Sequence, residues 1–220
     1  MYNSIDCYEE SGRSLPKNTL TLYLPSFTVS ATKNKFVAIG CDTYAYFNNY
    51  LNDQPLSIDC LSYCQNISNV VNGMSFGIGC CKIQILEGFK NVDFTAYSFN
   101  DNHTKVWDFN PCNFALIVQE DKFNFSLGYL TSLRNNLTLL MVLDWTIGNE
   151  TCKVAQNKAN YICGANSTSS DLNNESGYRC KCEDGYKGNL YLKQGCQGIY
   201  LIYLQISTTK IKKRNTITIF

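Results

Sequence analysis

"GMSFGIGCCKI" (Gly73–Ile83) sets two cysteines side by side, Cys80 and Cys81, behind glycines at 77 and 79. Adjacent cysteines rarely bridge each other, because the small ring they close strains the peptide. In an extended strand successive side chains leave on opposite faces. The pair is therefore expected to tie one strand to two different neighbours. Candidate partners are Cys41, Cys60, Cys64 and Cys112, and spacing does not fix the connectivity. The glycines allow the backbone to bend, or to approach another segment closely, just before the pair.

Outward from this stretch the chain carries twelve cysteines in 220 residues but a single histidine. Zinc knuckles want paired, closely spaced cysteines or nearby histidines. One C-x₃-C (Cys60, Cys64) and one C-x-C (Cys180, Cys182) do not supply them, so no metal site is expected. Disulfides, and with them an oxidising compartment, are the reading that remains. Seven N-x-[ST] sequons agree with a glycosylated exterior, at Asn66, Asn102, Asn124, Asn136, Asn149, Asn166 and Asn174. The opening "MYNSIDCYEESG" has neither the basic start nor the apolar run of a signal peptide. No apolar run reaches the roughly 20 residues of a membrane span. A chain built for secretion without a leader reads as a fragment or an incomplete gene product.

Charge is balanced overall but unevenly spread. Residues 1–148 hold 9 basic and 13 acidic side chains, net −4, and residues 149–220 hold 10 and 5, net +5. The basic cluster Lys210, Lys212, Lys213 and Arg214 lies in a short tail rather than on a folded face, which argues against nucleic acid.

Most of the chain reads as strand, and the fold class is mainly β. "TLTLYL" (Thr19–Leu24), "KFVAIG" (Lys35–Gly40), "NVDFTAYSF" (Asn91–Phe99), "NFALIVQ" (Asn113–Gln119) and "LTLLMVLDW" (Leu137–Trp145) show alternation or buried β-rich runs. "DCLSYC" (Asp59–Cys64) and "ETCKVAQN" (Glu150–Asn157) are read as one or two helical turns each. A boundary is expected near Gly148. Residues 1–148 form a cysteine-rich domain, 149–197 a small segment too short to be held by burial alone, and 198–220 a divergent basic tail.

From Cys152 the spacing runs C-x₁₀-C-x₁₆-C-x-C-x₁₃-C to Cys196, with Gly185-Tyr186 between the last two cysteines. This resembles an EGF-like module whose third cysteine is replaced by Ser169. The resemblance implies bridges Cys163–Cys180 and Cys182–Cys196 and leaves Cys152 without a partner. Calcium-binding members carry acids just before the first cysteine. Here Glu150 stands alone there, against the six to eight oxygens that Ca²⁺ prefers.

The first segment completes the pattern. "CLSYCQNISNVVNG", "GIGCC", "VWDFNPCNFALIVQEDKFNF" and "VLDWTIGNETC", in that order, resemble the ectodomain of the plant wall-associated receptor kinases over roughly residues 7–197. In that family a galacturonan-binding domain precedes EGF-like modules, a membrane span and a kinase. Met74 and Ser75 stand where the family often has a further cysteine, and the tail from Gln197 departs from the family's "DIDEC". Each segment is thus expected to keep an orphan thiol.

The resemblance implies an extracellular, non-catalytic binder of pectin or oligogalacturonide, facing the cell wall outside the plasma membrane and needing no cofactor. Arg13, Lys33, Lys35, Lys82 and Lys90 are candidates for the carboxylates, with Lys105 and Arg134 also available, and Tyr44, Tyr46 and Trp107 for the sugar faces. With a net −4, a local basic patch would have to do the binding. His103, inside a sequon, is expected at the surface, and Asp144 is read as a structural turn residue. The alternatives are a module recognising other cell-surface proteins, or a truncated product without function.

Overall fold

The structure is a computed structural model. It describes residues 3–24, 27–51, 54–89, 91–100, 103–136, 139–171, 177–190, 192 and 194–199. The chain divides into two compact units, Met1–Trp145 and Thr146–Phe220. The basic tail, from residue 200 on, lies outside the described residues.

In the first unit the strands are β1 (Asn3–Cys7), β2 (Leu20–Tyr23), β3 (Phe27–Val29), β4 (Asn34–Ile39), β5 (Asp42–Leu51), β6 (Gln54–Tyr63), β7 (Cys80–Gln84), β8 (Asn91–Tyr97), β9 (Cys112–Gln119) and β10 (Leu143–Trp145). An α-helix, α1 (Tyr129–Asn136), falls between β9 and β10. Two four-stranded antiparallel sheets form, β1-β9-β4-β7 and β2-β8-β5-β6, and β3 pairs with β10.

Strand β9 is buried from Cys112 to Val118 because both of its faces are covered, which is why it reads as a continuous apolar run. Phe114, Leu116 and Val118 join Val37, Ile39 and Cys80 in a cluster closed by Phe123, Phe125 and the α1 residues Leu130 and Leu133. Ala115 and Ile117 point the other way. With Phe36 and Ala38 they pack on the inner face of the second sheet: Ala45, Phe47, Cys60, Val92, Phe94 and Ala96. Phe47 sits at the centre of this interface, its ring centroid 5.6 Å from Phe36 and 4.8 Å from Phe89.

Disulfides fasten the sandwich. Cys60–Cys81 joins β6 to β7, hence one sheet to the other; Cys7–Cys112 links the paired strands β1 and β9; Cys41–Cys64 ties the start of β5 to the end of β6. The expectation for the adjacent pair is corrected in one half. Cys80 and Cys81 do leave on opposite faces, one into each core cluster, but only Cys81 is bridged. Cys80 remains a buried thiol, hydrogen-bonded to Ser75. Gly77 (φ 90°) and Gly79 (φ 75°) supply the left-handed backbone before the pair, and a Cβ on Gly79 would meet Val70 Cγ1 at 2.6 Å.

Two further expectations are corrected. "DCLSYC" belongs to the end of β6 and beyond, not to a helix. Cys60, Ser62 and Cys64 are buried there while Leu61 and Tyr63 are exposed, a period of two set by pairing along β5. "LTLLMVLDW" is strand only over Leu143–Trp145, and Leu137 and Thr138 lie outside the described residues. Before β10 the backbone is held by other partners: Gln119 N–H donates to the Leu140 carbonyl at 2.7 Å, and Val142 N–H to Asn34 Oδ1 at 2.8 Å. Asp144 lies in β10 opposite Thr28, not in a turn.

The second unit contains α2 (Cys152–Ala155), β11 (Ser167–Asp171), β12 (Tyr178–Cys182), β13 (Tyr186–Gly188) and β14 (Cys196–Gly198), paired as two hairpin-like ladders. Its core is small: Ile147, Ala155, Tyr178 and Cys180, with Tyr161 stacked on Tyr178 at 5.6 Å. Bridges Cys163–Cys180 and Cys182–Cys196 fasten it, and Cys152 is an unbridged, half-exposed thiol. Ser169 lies opposite Cys180 and accepts a hydrogen bond from Gln156, just after α2, at 2.9 Å.

Candidate functional site

The inner face of the second sheet is consumed by the sandwich, so strand alternation pushes every other residue of β5, β6 and β8 outward. Register then decides which of these meet. Tyr44 lies between Leu61 and Tyr97, and Tyr46 between Asp59 and Thr95. The result is a cluster of three half-buried tyrosines, with ring centroids 5.1 Å apart for Tyr44–Tyr97, 6.4 Å for Tyr44–Tyr46 and 6.2 Å for Tyr46–Tyr97. Toward one end of this face Tyr63 packs beside Phe99 at 5.9 Å. Asp59 and Asp93 are exposed on the same side, Asp93 accepting a hydrogen bond from Thr21 Oγ1 at 3.3 Å.

The phenols of Tyr44 and Tyr97 are held in their neutral form. Burial pushes the Tyr44 hydroxyl above its ordinary value, and the neighbouring Asp59 carboxylate adds to the shift. Tyr97 is raised first by burial and then by Tyr44 and Tyr46. The face thus offers ring faces for stacking, neutral hydroxyls that donate and accept, and carboxylates that accept.

The basic candidates are not gathered there. Lys35 and Lys82 lie on the side of the β4–β7 pair that turns away from the second sheet, so the thickness of the sandwich separates them from Tyr44 and Tyr46. Lys35 is paired with Glu120 at 3.3 Å and hydrogen-bonded to Gln84. Arg13 follows β1 and forms a two-pronged pair with Glu9, Nε to Oε2 at 2.9 Å. Lys33 is exposed just before β4, and Lys90 lies outside the described residues. Trp107 is not an open platform. It is half-buried, and its indole N–H donates to the Tyr8 carbonyl at 2.8 Å. Lys105, by contrast, comes to the tyrosine side of the unit, where it lines a cavity together with Tyr63.

His103 is the largest correction. It is 1% exposed rather than on the surface. The backbone there is left-handed, φ 71°. Its ring stacks on Tyr8 at 5.0 Å, and Nε2 donates to the Asn110 carbonyl. Around it lies a buried polar network. Tyr8 donates its hydroxyl to Asp6 Oδ2 at 2.5 Å and accepts from Ser98 N–H at 3.1 Å, while Lys17 reaches Asp6 at 2.9 Å. A buried polar cluster of this kind was missed because a histidine in a sequon carries no apolar periodicity to place it inside.

Among the sequons, Asn66, Asn124 and Asn149 are exposed. Asn166 is exposed too, but its amide donates to the Cys196 carbonyl at 2.9 Å. Asn102 and Asn174 lie outside the described residues, as does the side chain of Asn136. Among the described residues no three His, Cys, Asp or Glu side chains are grouped to hold a metal, and no helix is long and apolar enough to cross a membrane.

The comparison with known proteins gives the sandwich and its cysteines a lineage. Over 194 residues, 88% of its length, the chain is 38% identical to wall-associated receptor kinase 2 of Arabidopsis thaliana. It is 36% identical to wall-associated receptor kinase 1 over 89% of its length, and 35% identical to wall-associated receptor kinase 3 over 88%, both from the same plant. This chain is homologous to the wall-associated receptor kinases. It spans about a quarter of the length of these relatives, 26%, 26% and 27% respectively. No protein-family profile matches it. No solved structure matches it. The region shared with the wall-associated receptor kinases covers both units described above, from the sandwich to the disulfide-held second unit.

Proposed function

We propose that this chain is an extracellular recognition segment that binds acidic cell-wall polysaccharide of the pectin type without transforming it. The observation that carries the reading is the Tyr44–Tyr46–Tyr97 face, on a chain homologous to proteins named for the wall. Sugar rings stack on such a surface and exchange hydrogen bonds with its phenols and carboxylates. Because Arg13, Lys35 and Lys82 are spent or turned elsewhere, aromatic contact rather than bulk charge supplies most of the affinity. In this reading the second unit is an EGF-like spacer with two of three bridges, and Asn66, Asn124 and Asn149 carry glycans.

The test is retention of the secreted, glycosylated chain on immobilised polygalacturonate against immobilised polygalactose at increasing salt. The reading predicts stronger retention on the acidic matrix, weakening only modestly as salt rises. Equal passage through both columns would remove it. A second reading, docking of another cell-surface protein, is favoured by the exposed apolar side chains Leu61, Phe76 and Ile78, Phe76 being 88% exposed. Loss of partner binding in Phe76→Ser with polysaccharide retention intact would support it.

A further inference from the structure

The edge of a sheet presents backbone groups that need partners, and the first unit treats its four edges unequally. Along β1 the outer side is met by residues 14–18: Ile5 N–H donates to the Asn18 carbonyl at 3.0 Å, and Leu15 N–H to that of Cys7 at 2.8 Å. Strand β7 is met by the segment that leads into it, with Lys82 N–H donating to the Ser75 carbonyl at 3.1 Å. Strand β2 is only four residues long. Strand β6 is ten residues long and pairs with β5 alone.

In an antiparallel ladder a residue sends its N–H and C=O to one side, and its neighbour sends both to the other. Tyr63 N–H donates outward, to the Gly77 carbonyl at 2.8 Å, while Cys64 N–H donates to the Cys41 carbonyl on the β5 side at 2.7 Å. The register with β5 runs unbroken from Tyr63 to Gln54. The backbone groups of Leu61, Asp59 and Ser57 therefore aim outward as well. Gly77 lies against the Leu61 carbonyl and closes the edge there. From Leu61 N–H back to Ser57, nothing among the described residues meets it.

The side chains of this stretch face two ways. Leu56 and Ile58 lean on the core between the sheets but stay only partly buried. Ser57, Asp59 and Leu61 are exposed on the outer side. Asp59 is hydrogen-bonded to the Tyr44 hydroxyl, yet no lysine or arginine among the described residues is paired with it. Asp93 lies on the same side two strands away, and residues 1–148 carry a net −4.

We infer that β6 takes an extended peptide segment of another protein as a fifth strand, with apolar side chains over Leu56 and Ile58 and a lysine or arginine opposite Asp59. Backbone bonds to Ser57, Asp59 and Leu61 supply affinity, and the alternation of basic and apolar residues supplies selection. A second copy of β6 fits less well, because it brings two Asp59 carboxylates to one side of the seam. The inference is independent of the polysaccharide-binding reading, which uses the face of this sheet rather than its edge.

The experiment follows amide exchange residue by residue in the secreted full chain, with and without an end-blocked nine-residue peptide of alternating threonine and valine with a central arginine. In the chain alone the amides of Ser57, Asp59 and Leu61 should exchange much faster than those of Ile58, Cys60 and Ser62. The peptide should slow those three selectively. Glutamate in place of its arginine should weaken binding about fivefold or more, and Asp59→Lys should reverse that preference. If Asp59→Lys fails to fold, the two peptides on the unaltered chain decide alone. Unchanged exchange at the three amides up to millimolar peptide, or equal affinity for both peptides, would overturn the inference. So would protection that grows with the concentration of the chain alone, which would give the edge to a second copy. None of these results alters retention on polygalacturonate, so the two readings fail separately.

Discussion

The two units solve the same problem with different means. The first unit buries whole aromatic side chains between layers, among them Phe36, Phe47, Phe89, Phe94 and Phe114, and adds three bridges to a core that already exists. Among its described residues the second packs one cluster of four buried side chains, one of them a bridged cysteine, and has two bridges. Each carries one unbridged cysteine, yet in opposite settings: Cys80 is sealed inside the sandwich, and Cys152 sits half-exposed on α2. The unpaired sulfur is backed by an extensive core in one unit and by little packing in the other.

Replacing Cys182 and Cys196 together by Ser should unfold the second unit, since a closed loop of this size contributes about 3 kcal/mol and little else is present to hold it. Amide exchange should show β11 and β12 losing protection while β4 and β9 keep theirs. The mirror-image change is Phe47→Ala, which should cost the first unit about 3–5 kcal/mol and lower its melting temperature without touching protection in β12.

A smaller effect sharpens the contrast by repair. Ser75→Cys places a sulfur beside Cys80, and Ser169→Cys does the same opposite α2. Alkylation of the unfolded, unreduced chain should then label one thiol in each variant, against two in the unaltered chain. The repair should raise the stability of the second unit more than that of the first, because the second has less packing to fall back on.

The thiols themselves give the next test. Burial pushes the Cys80 thiol up to about 12, despite the opposing pull of Ser75 and Lys82, so it stays protonated and shielded. Alkylation of the native, unreduced chain should label Cys152 first and reach Cys80 only on unfolding. The smallest effect is alkaline. Tyr8 is raised well above the ordinary tyrosine value by burial and by its bond to Asp6, so the folded phenol keeps its proton where an unfolded one, at about 10, releases it. The unfolded state then binds fewer protons, and stability should fall as pH rises above about 10. Tyr8→Phe should flatten that fall in a pH series of chemical denaturation.

What was legible in the sequence follows from how local the signals are. The alternation of "NVDFTAYSF" and the solid run of "NFALIVQ" announce one strand with a single buried face and one buried on both, and both hold. "DCLSYC" misleads because serine, leucine and tyrosine suit a short helix as well as a strand, and only pairing along β5 decides. The helix α1 escapes notice because it is eight residues long and shows its apolar face mainly through Leu130 and Leu133. At the candidate site Tyr44 and Tyr46 were readable as aromatics on one strand face. Their neighbours Tyr97, Asp59 and Tyr63 arrive from β8 and β6 through register, a long-range property that no local pattern encodes. The separation of the lysines from the tyrosines is likewise a consequence of layering, invisible until the two sheets are stacked.

On the proposed reading the tyrosine face, and not the lysines behind the sandwich, binds the polysaccharide. The direct measurement is the affinity of Tyr46→Ala and of Lys82→Gln for a size-fractionated oligogalacturonide, side by side with the unaltered chain. The expected result is about a tenfold loss for Tyr46→Ala and no change for Lys82→Gln. The reverse pattern, a loss on removing Lys82 and none on removing Tyr46, would contradict it.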